Sequence, residues 1–159
     1  MWGTSFKLKH QAFNLGNTGR YRGALPNMNQ HPKSKGDVSV AAILSALLKK
    51  GKKVLLPFGD NLRYDIAIDE KGKLVRVQVK TGRVFKGGIR FPTASTYAHV
   101  GGKRRGYHGE ADFFGVYVPA LDKTYLIPVS ELGKNESCLR LDPLKSHGRT
   151  ARWAKDYEL

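Results

Sequence analysis

The stretch from Tyr64 to Lys80 leaves little freedom in what it can fold into. Val75, Val77 and Val79 alternate with Arg76, Gln78 and Lys80, the period-two signature of a strand. Ahead of them, Asp65 to Asp69 reads as a second strand, and Lys71-Gly72 lies near the turn between the two. The spacing predicts a β-hairpin in which Gln78 and Lys80 project from one face and Val77 and Val79 from the other. An acid opens the first strand, and an amide and an ammonium close the second. Gathered at one end of an apolar hairpin, that trio suits metal-dependent phosphodiester chemistry better than packing.

Charge points the same way. The chain has 159 residues, 28 Lys+Arg and 13 Asp+Glu, for a formal net charge of +15. Self-repulsion of that size is tolerated most easily beside a polyanion. Residues 1–36 carry Lys7, Lys9, Arg20, Arg22, Lys33 and Lys35 and no acid. Residues 81–109 carry Arg83, Lys86, Arg90, Lys103, Arg104 and Arg105, again with no acid. Two acid-free basic segments flanking the hairpin imply phosphate-backbone contact on either side of a reaction centre. A basic surface that aids solubility or binds RNA non-specifically is the plainer alternative. The length suits one domain with a real core. Cys138 is the single cysteine, which excludes an internal disulfide framework and a Cys-rich zinc site. No apolar run approaches the ~18 residues of a membrane span, and no signal-peptide core is evident. A cytoplasmic, nucleoid-associated protein with no membrane partner is expected, in a prokaryote or a phage-infected cell.

Residues 1–34 read as a basic arm, irregular or disordered when free, with Gly16, Gly19, Gly23, Pro26 and Pro32 breaking any period. Trp2, Phe6, Phe13 and Tyr21 suit a strap along nucleic acid, or the arm is a dispensable extension. The folded domain is placed at 35–159. Asp37 is the expected N-cap of a helix over Val38–Lys50, with Val40, Ala41, Ile43, Leu44, Leu47 and Leu48 on its apolar stripe. Strands are expected at Val54–Leu56, in the hairpin, and at Ile89–Phe91, Asp112–Val118 and Thr124–Val129. Thr93–Gly109 reads as a long polar connection, Pro143–Gly148 as a loop and Arg149–Tyr157 as a short terminal helix. This order gives a mixed α/β domain with a central sheet.

Phosphodiester hydrolysis needs a divalent cation to polarise the phosphoryl oxygen and acidify water, hard oxygens to hold it, and positive charge for the transition state. Asp65 supplies a carboxylate, and Gln78 and the Val79 carbonyl supply neutral oxygens. Lys80 supplies the ammonium beside the attacking water. An aspartate followed about a dozen residues later by Gln-x-Lys, behind a helix and a short strand, resembles the PD-(D/E)XK nuclease superfamily. The run from Pro57 to Asp65, the Gln78–Gly82 segment, Ala111–Pro119, Tyr125–Val129 and Arg152–Tyr157 are similar to its group I intron-encoded homing endonucleases of bacterial origin. The resemblance covers roughly Gly36 to the C-terminus.

It implies a restriction-endonuclease-like core with a helix packed on a mixed central sheet, a Mg²⁺-dependent site and double-strand cleavage of DNA by a homodimer or homotetramer. Asp65 matches the metal-binding aspartate, Gln78 replaces the second acid and Lys80 matches the lysine. The catalytic set is then Asp65, Gln78 and Lys80, and the metal set Asp65, Gln78 and Val79. A glutamate often found on the first helix corresponds to Val40, so Asp65 is the one carboxylate at the usual positions. Asp37 is a substitute acid or simply a cap.

DNA contact is assigned to Lys33, Lys35, Arg63, Arg83, Lys86, Arg90, Lys103, Arg104, Arg105 and Tyr107. Asp60 and Asp69 are more simply turn residues, Asp112 either supports a metal ligand from behind or is structural, and His99, His108 and His147 lack ligand spacing. The leading reading is a homing-type endonuclease. The alternatives are a Holliday-junction resolvase on the same fold, a catalytically silent DNA-binding module and a basic RNA-associated protein.

Overall fold

The computed structural model describes residues 31–59, 61–96, 104–142 and 151–159. The expected arm at 1–30 therefore lies outside the described residues, as do Asp60, Tyr97, His99, Lys103 and His147. The first element is α1, Pro32–Lys49. It starts a turn and a half ahead of the expected site because His31 caps it, its side chain accepting from the Lys33 N–H, and proline at the first helical position carries no N–H to orphan. Asp37 is consequently not a cap but an exposed residue inside the helix. The boundary expected between 34 and 35 falls in the first turn of α1. Its buried stripe is Ser39, Ile43 and Leu47, flanked by half-buried Val40 and Leu44. Ala41 and Leu48, expected in the stripe, face solvent.

Five strands make the central sheet, in the order β1 (Lys53–Leu55), β2 (Ile66–Glu70), β3 (Lys73–Thr81), β8 (Phe113–Val118), β9 (Lys123–Pro128). All neighbours are antiparallel except β3 and β8, which run parallel. The predicted hairpin is β2–β3, with Ile66 opposite Val77 and Glu70 opposite Lys73. Its two turn residues, Lys71 and Gly72, both have positive φ, the twist that suits a two-residue hairpin.

Between β3 and β8 the chain makes an excursion through β4 (Arg83–Phe85), β5 (Gly88–Pro92), β6 (Ala94–Thr96) and β7 (Arg104–Gly106). The first two join β10 (Glu136–Arg140) in a second sheet of order β10-β5-β4. The other two pair as an antiparallel ribbon, Ala94 opposite Gly106 and Thr96 opposite Arg104. The polar connection expected over Thr93–Gly109 is thus a two-stranded ribbon at its base. The expected terminal helix is a single 3₁₀ turn, Ala154–Tyr157.

The result is three layers. α1 packs on one face of the central sheet through Ile43, Leu47, Ile66, Ile68, Val77 and Val79. The second sheet closes the other face through Ile89, Phe91, Phe114, Val116, Tyr125 and Leu139. Alternation along β3 sends Val77 and Val79 toward the helix, so Gln78 and Lys80 point to the opposite side. Among the described residues, no helix is long and apolar enough to cross a membrane.

Candidate active site

Asp65 stands one residue ahead of β2, fixed by its own N–H donating to the Val77 carbonyl at 2.9 Å. Its carboxylate turns onto β3. Oδ2 accepts from the Val79 N–H at 2.7 Å and from the Gln78 amide nitrogen at 2.5 Å. The same amide nitrogen lies 3.3 Å from the Val79 carbonyl oxygen. Gln78 is 8% exposed, so its amide fills the space between a carboxylate and a carbonyl with little water present. Burial pushes the Asp65 carboxyl above the usual carboxylate range. The Val79 N–H, the Lys80 charge and the Gln78 amide pull the other way and do not fully offset it.

This arrangement tests the fit of a divalent cation. Two oxygens, one charged, converge on a donor, which is where a cation gains most. An amide presents oxygen or nitrogen by a half-turn, so Gln78 can exchange its donor for Oε1 as a third ligand. A carboxylate whose charge is incompletely balanced adds to the attraction. The residues therefore fit a hard cation through Asp65, Gln78 and the Val79 carbonyl. Among the described residues, no group of three or more His, Cys, Asp or Glu makes a conventional metal cluster. Val40, at the position of the frequent helix acid, packs against the apolar cluster beneath α1.

Lys80 follows two residues on, with Nζ donating to the Tyr107 hydroxyl at 3.0 Å and lying 4.7 Å from its ring centroid. Tyr107 is 4% exposed, its ring edge-on to Phe114 at 5.4 Å. Tyr107, assigned to DNA contact, has its ring sealed under Lys80 and Arg63, whose guanidinium sits 4.2 Å from its centroid. Arg63 is likewise engaged with protein. Nε donates to Glu110 at 2.6 Å, Nη1 to Ser95 at 2.6 Å and Nη2 to the Gly106 carbonyl at 2.8 Å. Arg63 thus ties the loop ahead of Asp65 to the base of the β6–β7 ribbon.

The remaining basic residues divide by element. Arg104 and Arg105 are exposed on β7, and Arg105 also bonds Glu110. Arg83 and Arg90 lie on β4 and β5, both facing Glu136, at 3.4 and 3.9 Å. Lys86 sits in the β4–β5 turn, and it and Arg90 flank the Phe85 ring. Lys33 is exposed and Lys35 half-buried in the first turns of α1.

Further residues support the site. Ser39, 1% exposed on α1, bonds the Thr81 hydroxyl at 2.6 Å and the Lys35 carbonyl at 3.0 Å, pinning the helix to the end of β3. A serine breaking an apolar stripe was its signal. Glu110 ends the acid-free segment and draws in two of the nearby arginines. Arg63 beside it holds the Glu110 carboxyl below the usual range. Asp112 proves structural. Its carboxylate takes the Arg76 N–H at 2.7 Å and the guanidinium at 3.0 and 3.1 Å, which locks the β3–β8 register. Gly82, the single residue between β3 and β4, lets the chain leave one sheet for the other: a Cβ there would stand 2.9 Å from both Val116 and Val118.

A family model described as PD-(D/E)XK endonuclease matches residues 30–159. The chain belongs to the PD-(D/E)XK endonucleases. Its fold, one helix on a mixed sheet, is the core that the resemblance implied. Among solved structures it is similar to a bacterial homing endonuclease, I-Ssp6803I, at 30% identity and a TM-score of 0.66, over 81% of this chain and 89% of that one. No curated protein matches significantly. For a PD-(D/E)XK endonuclease the substrate class is DNA.

Proposed function

We propose that this PD-(D/E)XK endonuclease is a homing-type enzyme that makes a Mg²⁺-dependent double-strand cut at a specific DNA site. The observation that carries the reading is the convergence of Asp65 Oδ2 and the Val79 carbonyl on the Gln78 amide, with Lys80 two residues along the strand. Similarity to I-Ssp6803I supports the homing type. Asp65, Gln78 and Val79 hold the cation, which polarises the scissile phosphate and acidifies water. Lys80 orients the attacking water and offsets the charge that develops on the phosphoryl oxygens. The Val79 N–H fixes Asp65 so that its carboxylate is held toward the cation. Arg104, Arg105, Arg83, Lys86 and Arg90, with Lys33, Lys35 and Lys103, grip the backbone, and the β6–β7 ribbon has the width for a groove. Arg63 and Tyr107 serve the site from within the protein.

One such site cuts one strand, so a double-strand break calls for a symmetric dimer or a tetramer. The basic residues ahead of α1 add phosphate contacts, and the enzyme acts where DNA is, in the cytoplasm of a prokaryotic or phage-infected cell. The test is to select cleaved molecules from a randomised duplex library with Mg²⁺ and with EDTA, and to measure binding and cleavage of a four-way junction in parallel. Recovery of one roughly palindromic site, only with Mg²⁺, is the expected result. Cleavage confined to a four-way junction would replace the homing reading with a resolvase. Tight binding without any nick would leave a DNA-binding module.

A further inference from the structure

We infer that Tyr107 is a positioning residue for the Lys80 ammonium, and that Arg63 holds Tyr107 in place by anchoring it to the base of the β6–β7 ribbon. The inference rests on the catalytic role of Lys80 proposed above. A lysine near a strand end has a long, flexible stem that must lose rotamer freedom to hold its ammonium in one place. Two contacts restrain this one. Nζ donates to the Tyr107 hydroxyl at 3.0 Å, and the ammonium stands 4.7 Å from the ring centroid, within cation–π range.

The restraint works only if Tyr107 is itself fixed, and it is. Its ring is buried edge-on against Phe114 and covered by the Arg63 guanidinium at 4.2 Å. Arg63 in turn is held by Glu110, Ser95 and the Gly106 carbonyl. Ser95 and Gly106 belong to the paired strands of the ribbon, and Tyr107 is the next residue in the chain. The ammonium is thus placed by the segment that carries Arg104 and Arg105. The Tyr107 hydroxyl accepts the lysine hydrogen bond and keeps its own proton to donate. Nothing in this arrangement needs Tyr107 to touch DNA.

Tyr107→Phe isolates the hydroxyl, since the ring and its contacts with Phe114 and Arg63 remain. Cleavage of the selected duplex is followed under single-turnover conditions over a range of protein concentrations, with Lys80→Ala in parallel and melting curves to fix the folded fraction. For Tyr107→Phe the maximal rate should fall about 10- to 100-fold, the effect of a misplaced catalytic group. The half-saturating concentration and the melting temperature should not move. A maximal rate that is unchanged or raised overturns the inference, and so does a loss confined to the half-saturating concentration. If Lys80→Ala itself cleaves like the wild type, the catalytic reading of Lys80 fails instead. If Lys80→Ala is inactive and Tyr107→Phe is not, only the positioning inference fails.

Discussion

Asp65 carries a charge that the fold solvates poorly. Burial raises its carboxyl above the usual range despite three compensating contacts. A group raised on folding adds stability below its unfolded value and loses it as pH rises through its folded value. Asp65 is therefore less favourable to the free protein above its folded value than below it. Asp65→Asn should melt higher than the wild type at pH 7 in EDTA. The gap should shrink as pH is lowered through the folded value of Asp65, which melting curves across pH 4–8 would check. A gap independent of pH would show that the charge is not the cause. Asp65, Gln78 and Lys80 were legible in sequence because alternation fixes faces and the hairpin fixes proximity. Tyr107 was not. A tyrosine in a glycine-rich basic stretch looks the same whether it meets solvent or is capped by an arginine more than forty residues away. The protein contacts of Arg63 were hidden for the same reason, since Ser95, Gly106 and Glu110 lie on β6, on β7 and in the loop after β7.

β3 is the element that organises the site. It pairs with β2 on one edge and with β8 on the other, and delivers the chain through Gly82 to the second sheet. Gly82→Ala presses a methyl against Val116, Val118 and Ile89 in a filled core and should cost about 1–3 kcal/mol in urea unfolding. Loss of cleavage should follow, because Lys80 is two residues upstream. Asp112 clamps the parallel edge. The hydrogen bonds from Arg76 hold its carboxyl below the usual range. Their stabilisation is present above the ordinary carboxylate range and is lost as pH falls through the lowered value. Because the pair is partly exposed, Asp112→Ala should cost only about 1 kcal/mol at pH 7, and less under acid conditions. The helix, the hairpin and the β8–β9 pair were readable from apolar period alone. β4, β10 and the ribbon were not. β4 and the two ribbon strands have three residues each, too few to show a period, and β10 pairs with β5 more than forty residues back, so tertiary contact rather than local pattern makes it a strand.

At the scale of the whole molecule, charge sets the terms of binding and the hairpin sets the chemistry. A chain of net charge +15 should bind duplex with an affinity that falls steeply with salt, on a linear log–log plot. Arg104→Ala and Arg83→Ala should each flatten that plot by about one phosphate contact while leaving the maximal cleavage rate near wild type. An unaltered slope would remove the residue concerned from the interface. On the function proposed, the Asp65–Gln78–Lys80 hairpin cuts DNA rather than merely holding it. The most direct test is to measure Asp65→Asn and wild type side by side on the selected duplex with Mg²⁺, recording both affinity and single-turnover rate. Affinity should stay within about threefold of wild type, and the rate should fall by at least about 100-fold. Cleavage by Asp65→Asn at the wild-type rate would contradict that function.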